Sequence, residues 1–265
     1  GRDAYAHRAR LAIVQMGRRT DTLPLEDAVA LLKTARWAWS GDVFAKEGVA
    51  LLADYTLELG DYQTALWALG QLLTEAESPK KAEAVRERAR EAIESYYQAG
   101  AAGDLNLAEF ISGHAAIMAG WRYDSGFVES AVALPQTLLS SGMTALAARE
   151  FRNLRTIAEA AEELELFTPD PELITHLFRD EAGALLAGGQ ADAAVDLLGG
   201  LAPGQGDDVE TERLLIQALS QAGRAEELAD WGGRAPEIGP RSGREGGVDG
   251  GSDKHSTGQT THPGY

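Results

Sequence analysis

Residues 42–73, DVFAKEGVALLADYTLELGDYQTALWALGQLL, constrain the fold more than any other stretch, because they hold two helical stripes with a helix stop between them. Val49, Leu52, Ala53 and Thr56 recur at three- and four-residue spacing, which places them on one face of an α-helix. Gly60 ends that helix, since a residue without Cβ enters the left-handed conformation of a helix terminus at little cost. Tyr62, Ala65, Leu66, Leu69, Leu72 and Leu73 then form a second stripe. Small Ala53 and Ala65 let the two backbones approach, while Leu52, Leu69 and Leu72 fill the space between. One such hairpin cannot bury both of its apolar faces, so it requires neighbours of the same shape.

Degraded copies of this unit follow along the chain. Before it, an apolar pattern at Ala6, Ala9, Ile13 and Met16 predicts a first helix closed by Gly17, with a loop over 18–23. Pro24 suits the first turn of a second helix reaching Trp39 and burying Ala28, Leu31, Leu32 and Ala35. After it, Ser78-Pro79 forms a cap and first-turn proline for a helix over 80–98, with Glu83–Arg86 and Glu87–Arg90 spaced as surface ion pairs. Gly103, Gly142, Gly189 and Gly223 repeat the Gly60 turn, with Ala108, Ala147, Ala194 and Leu228 five residues beyond each, where Ala65 stands after Gly60. The intervals from Gly60 are 43, 39, 47 and 34 residues, so helices of unequal length or inserted turns are expected. Pro135 should kink its helix or split it near Leu134. Asp170 should cap a helix that Pro171 begins and that runs to Ala187. After a loop over 199–206, a last pair spans 207–231.

The Ala-, Leu-, Glu- and Arg-rich helical pattern resembles the tetratricopeptide repeat. GDYQTALWALGQLL looks like that motif's second helix, and Val49, Leu52, Ala53, Thr56, Ala65, Leu69 and Leu72 fall on its positions, with Val49 and Thr56 replacing the family's Trp and Tyr. The run LPLEDAVALLKTARWAWSGDVFAKEGVALLADYTLELGDYQTAL, with Arg36, Trp37, Trp39, Gly41 and Asp42 at its centre, is also similar to a segment of large bacterial envelope-associated tetratricopeptide-repeat proteins. The resemblance implies an all-α fold: a right-handed superhelical array of antiparallel helix pairs (a TPR-like α-solenoid) over residues 1–231, about five to six irregular pairs. It implies a protein-interaction scaffold, in the envelope or periplasm if the narrower resemblance holds and otherwise cytoplasmic. Residues 232–265 hold ten of the thirty glycines, and among Leu, Ile, Val and Phe only Ile238 and Val248, a composition that predicts a disordered tail.

Charge and chemistry narrow the function. The chain's net charge is −17, and residues 232–265 are balanced, so the excess belongs to the helical body. Such a body does not grip nucleic acid, which needs clustered Lys and Arg, nor an anionic membrane surface. No apolar run approaches the ~20 residues of a membrane span. The chain begins Gly1-Arg2-Asp3 without methionine, as a processed protein or a piece of a longer one would. There are no cysteines, and His7, His114, His176, His255 and His262 have no metal-ligand spacing, so no cofactor or metal is expected. Nothing in the sequence pairs a nucleophile with a base. Trp37, Trp39, Trp67 and Trp121 read as packing side chains rather than a ligand platform. The first helix of each pair in a tetratricopeptide array lines the groove, which here points to Glu47, Ala50, Asp54 and Leu57. In the pair around Gly189 it points to His176 and Arg179, with Gly183 and Leu186 beside them. Asp54 would repel the terminal carboxylate that the family's chaperone-tail clamp holds. The expected partner is therefore an extended or helical peptide with basic and apolar side chains. Two other readings are an architectural spacer in a larger chain and a helical toroid acting on carbohydrate.

Overall fold

The computed structural model describes residues 2–35, 43–201 and 208–232. Among them are thirteen helices and no strand. They are α1 (Arg2–Arg19), α2 (Leu25–Ala35), α3 (Val43–Glu58), α4 (Tyr62–Thr74), α5 (Pro79–Ala102), α6 (Leu107–Trp121), α7 (Phe127–Ala131), α8 (Ala133–Ser140), α9 (Thr144–Glu163), α10 (Pro171–Ala187), α11 (Ala191–Gly199), α12 (Val209–Gln221) and α13 (Ala225–Gly232). Trp37, Trp39 and the patch around them, the loop over 202–207 and the tail over 233–265 lie outside the described residues.

Each first helix turns back into a second helix, which then packs on the next first helix, so that α3 lies on α4, α4 on α5, α9 on α10, α10 on α11 and α11 on α12. The pairs are α1/α2, α3/α4, α5/α6, α7–α8/α9, α10/α11 and α12/α13: a TPR-like array of antiparallel helix pairs. The turns share one mechanism. Gly60, Gly103, Gly142, Gly189 and Gly223 all have φ between 69° and 84°, and in each case the next residue donates its N–H to the carbonyl five residues back, as in Asp61 to Thr56 at 2.8 Å. This is the hydrogen-bonded helix stop expected from the glycine spacing. A sixth copy closes α1. Asp21, at φ 53°, occupies the left-handed position and Thr22 donates to Gly17 at 2.9 Å. Gly17 is therefore not the stop; it lies inside α1 against Leu23.

Other local signals hold. Ser78 accepts from Lys81 N–H at 3.3 Å and Pro79 opens α5, which runs on to Ala102 instead of stopping at Gln98. Asp170 caps α10, which spans Pro171–Ala187 as its sequence predicts. Pro135 sits in the first turn of α8, and the ladder breaks at Val132 between α7 and α8, because proline has no N–H to donate to the carbonyl four residues back.

Three expectations are corrected. In α1 the apolar residues whose pattern signals the helix, Ala6, Ala9, Ile13 and Met16, are exposed, Ile13 by 57% and Met16 by 61%, while His7, Leu11 and Val14 are buried. In α6 Ala108 is exposed and Phe110 is buried. The two extra turn residues Leu105 and Asn106 delay the helix start, so the fourth helical residue, which is Ala28, Ala65, Ala147 and Ala194 elsewhere, is Phe110 here. The bulk is compensated across the pair. Gly100, three residues before its turn glycine, stands where α3 has Leu57, and a Cβ there would run into the Phe110 ring. Finally, Arg90 pairs with Asp124 at 2.9 Å and Glu83 at 3.0 Å rather than with Glu87.

Candidate functional site

The first helices present one side of the array, and the predicted site residues lie on it. Glu47 is exposed and accepts from Gln15 Nε2 at 2.6 Å. Asp54 is exposed and paired with Arg88. Ala50 is half-buried and Leu57 packs against the core. On α10, His176 is exposed, whereas Arg179 reaches Asp208 at 3.3 Å and Glu210 at 3.4 Å with Nη1. Gly183 is half-buried and Leu186 is buried. The structure therefore does not gather these residues into one pocket.

It joins them to neighbouring repeats. Gln15–Glu47 links α1 to α3, Asp54–Arg88 links α3 to α5, Arg90–Asp124 links α5 to the approach of α7, and Arg179–Asp208 links α10 to the cap of α12. Gln136 of α8 bonds to Asp180 of α10, whose carboxyl burial pushes above the usual range. Polar rungs thus run between successive first helices, and Asp54, one of the two carboxylates the sequence offered to a partner, is neutralised by Arg88 within the molecule. Cross-helix partners of this kind leave no signature in a linear spacing.

Residues that were not singled out from sequence line a cleft of about 560 Å³ between α5 and α7–α8. Glu94, Gln98, Glu129 and Ser130 form its polar wall, Ala133 adds apolar surface and Tyr97 lies at its base. Arg90 also borders it but is held by Asp124 and Glu83, while Glu94 accepts only from Gln98 at 2.9 Å and no cation pairs with Glu129 among the described residues. The spacing of Glu87, Glu91 and Glu94 along α5 was a legible signal; which of them borders a cleft was not. A second cleft, of about 570 Å³, lies between α4 and α6, where buried Trp121 donates Nε1–H to Leu66 O at 3.3 Å and Trp67 packs at the rim of the core.

Behind the first cleft is a buried polar chain. Tyr97 Oη is 2.7 Å from His114 Nδ1, and His114 Nε2 faces Glu150 Oε2 at 3.8 Å without a hydrogen bond. Burial drives the Tyr97 phenol far above its ordinary value, so it stays protonated, and the direction of its hydrogen bond with Nδ1 is set by the imidazole tautomer. Glu150 is in turn held by Arg149 at 3.1 Å and Asn153 at 3.0 Å. The order Tyr–His–Glu superficially resembles a nucleophile, base and orienting acid, but Tyr97 and His114 are buried, and the tyrosine cannot ionise in that setting. Among the described residues no cluster of His, Asp and Glu could hold a metal ion, and no helix is long and apolar enough to cross a membrane.

This chain has a testable pH signature. Burial holds His114 below its ordinary value of 6.5, against the opposing pull of Glu150. The unfolded chain therefore takes up this proton first on acidification, so the stabilising contribution is complete above the unfolded value and is lost as the pH falls toward the lower folded one. Urea midpoints of the wild type should drop between about pH 7 and about pH 5, and His114→Gln, which keeps an acceptor for Tyr97, should flatten that slope. Parallel slopes in the two proteins would remove His114 from the explanation.

No protein-family model matches the sequence, and no curated protein matches it either. Among solved structures it is similar to the crystal structure of a Podospora anserina protein whose name assigns it to the kinesin light chains, with nearly identical TPR-like repeats. The identity is 15% over 84% of this chain and 90% of that one, with a TM-score of 0.33. At that score the class rests on the helix pairs and left-handed turns of the chain itself, which are those of a TPR-like helical repeat protein.

Proposed function

We propose that the chain is a non-enzymatic protein-interaction scaffold whose first-helix side receives an extended or helical peptide with basic and apolar side chains. Helical-repeat arrays offer long continuous surfaces and no deep reaction pocket, which suits recognition of another chain. The observation that carries the reading is the cleft between α5 and α7–α8. Its carboxylates Glu94 and Glu129 have no cationic partner among the described residues, and they stand beside apolar Ala133 and the ring of Tyr97. A lysine or arginine seated there would gain two carboxylates, and flanking leucine or phenylalanine side chains would lie against the helix stems. Glu47, Ala50, Asp54, Leu57, His176 and Arg179 border the same side on either hand, with Asp54 already paired to Arg88 and Arg179 to Asp208 and Glu210 of neighbouring repeats.

The test is titration of synthetic peptides that alternate Lys or Arg with Leu or Phe, against the same peptides with Glu in place of each base. Micromolar binding of the basic series is expected. Glu94→Lys with Glu129→Lys should weaken it by roughly tenfold or more, with a matching loss at high salt. Equal binding of basic and acidic peptides, or indifference to the double reversal, would remove this cleft as the site.

A further inference from the structure

The cleft between α4 and α6 lies among second helices and shares no lining residue with the cleft between α5 and α7–α8. One residue in four of the sequence is charged, yet none of the twelve that line this space of about 570 Å³ is. Its floor is Leu66, Ile117 and Trp121, all buried. Two glycines keep it open. A Cβ on Gly120 would meet nothing within 4 Å, and one on Gly70 would meet only Trp121, at 3.8 Å. Gly100 and Gly113 differ, because the rings of Phe110 and Tyr96 fill the space a Cβ would take. Packing therefore demands glycine at 100 and 113 but leaves room for a side chain at 70 and 120, where glycine inside a helix is otherwise destabilising.

At the C-terminal ends of α4 and α6 this cleft runs into a smaller one of about 280 Å³, and Leu73, Gly120 and Trp121 line both. Here the charge changes. Arg86 and Arg122 border the smaller cleft, and the only carboxylate lining it, Asp124, is held by Arg90 at 2.9 Å. Arg122 is exposed, lies over the Tyr123 ring at 5.0 Å and has no carboxylate partner among the described residues. Arg86 meets Glu83 at 3.5 Å, with both side chains open to solvent. In a chain of net charge −17, positive charge is left over at this end. The two clefts form one groove, uncharged for most of its length and cationic where it ends.

The polar atoms of the groove decide what kind of body it suits. An extended peptide brings backbone N–H and C=O groups that need partners. Trp121 Nε1–H is spent on Leu66 O at 3.3 Å, the Thr74 hydroxyl donates to Gly70 O at 2.9 Å, and the Thr64 N–H donates to Asp61 at 3.2 Å. A tail without amides asks nothing of such a wall. From Gln63 to Thr74, α4 rises about 16 Å, room for an alkyl chain of medium length.

We propose that this groove binds an alkyl carboxylate of medium chain length, with its tail along α4 and α6 over Ile117 and Trp121 and its carboxylate at Arg122 and Arg86. Calorimetric titration of the full chain with decanoate below its micelle concentration tests this, beside decyltrimethylammonium, which has the same tail and the opposite charge. Saturable one-to-one binding of decanoate is expected, at least roughly tenfold tighter than that of the cationic probe. Arg122→Glu should weaken decanoate binding by at least roughly tenfold, and Gly120→Leu, which places a side chain in the groove, should abolish saturation. Both positions are exposed, so circular dichroism of each variant should match the wild type. No saturable binding by the wild type, equal binding of the two probes, or full affinity in either variant would each overturn the proposal.

Discussion

Gly100→Leu combined with Phe110→Ala is expected to be far more stable than the two single effects predict. Phe110 is buried between α5 and α6, its ring lying against the bare backbone of Gly100. Removing the ring alone leaves a cavity beside a glycine and should cost about 3 to 5 kcal/mol. Adding a leucine alone drives its Cβ into that ring, and overpacking of this kind costs about 1 to 3 kcal/mol and more where the backbone must shift. Together the substitutions recreate the neighbouring pair, in which Leu57 of α3 and Ala65 of α4 occupy the same two positions. The double variant should recover about 2 kcal/mol or more relative to the sum, read as a coupling in urea unfolding. Additivity to within about 0.5 kcal/mol would mean that the two positions do not exchange volume. The neighbouring Gly113 sits in a similar constraint, because Tyr96 lies across it to donate to Phe110 O at 2.6 Å, and its phenol is pushed up to about 12 by burial.

The second large effect concerns Glu181, which is completely buried where α10 crosses α9. Its two oxygens take Arg152 Nε at 2.7 Å and Arg155 at 3.2 Å. Breaking a buried pair by deleting one partner typically costs about 3 to 5 kcal/mol, because the remaining charge is left without compensation. Glu181→Ala should fall at the low end, about 3 kcal/mol, because Arg155 keeps Glu159 at 3.0 Å and lies 4.3 Å over the Phe178 ring. Arg152→Ala should cost less than about 1 kcal/mol, since that side chain is 56% exposed and gives up little burial. Chemical denaturation decides between them: equal losses for the two variants would show that Glu181 acts as a packing group and not as the shared counter-charge.

How much of this was legible depends on whether the cause was local. The left-handed glycines, the Ser78 and Asp170 caps and the split at Pro135 follow from backbone chemistry within a few residues, and all are where the sequence puts them. Asp21 was missed because aspartate takes the left-handed conformation less often than glycine, so Gly17 drew the assignment. The buried face of α1 was not legible because the helix has two apolar stripes, and periodicity cannot say which one meets a neighbour. Phe110 was missed because a fixed offset from Gly103 ignores the longer turn. Glu181 did carry a signal, a carboxylate on the stripe of Leu177, Ala184 and Leu185, but its arginines lie about thirty residues away. The candidate interaction surface is the least legible part, since the groups that remain free are known only after the interhelical pairs have been made.

The two kinds of connection divide the molecule into edges with different freedoms. Along one edge every pair reverses through a left-handed residue, a glycine everywhere but at Asp21, with one or three residues between it and the next helix. Along the other, the connections after α4, α6 and α9 contain four, five and seven residues, and of these three only the last repeats the hydrogen-bonded left-handed stop, at Glu165 with Leu166 donating to Ala161 O at 2.9 Å. Growth and loss of residues belong on the second edge, and the connection between α9 and α10, beyond the stop made by Glu165 and Leu166, is where a graft would disturb the array least. Kinship with other chains is then best sought by superimposing the strict edge, turn on turn, and letting the permissive edge differ.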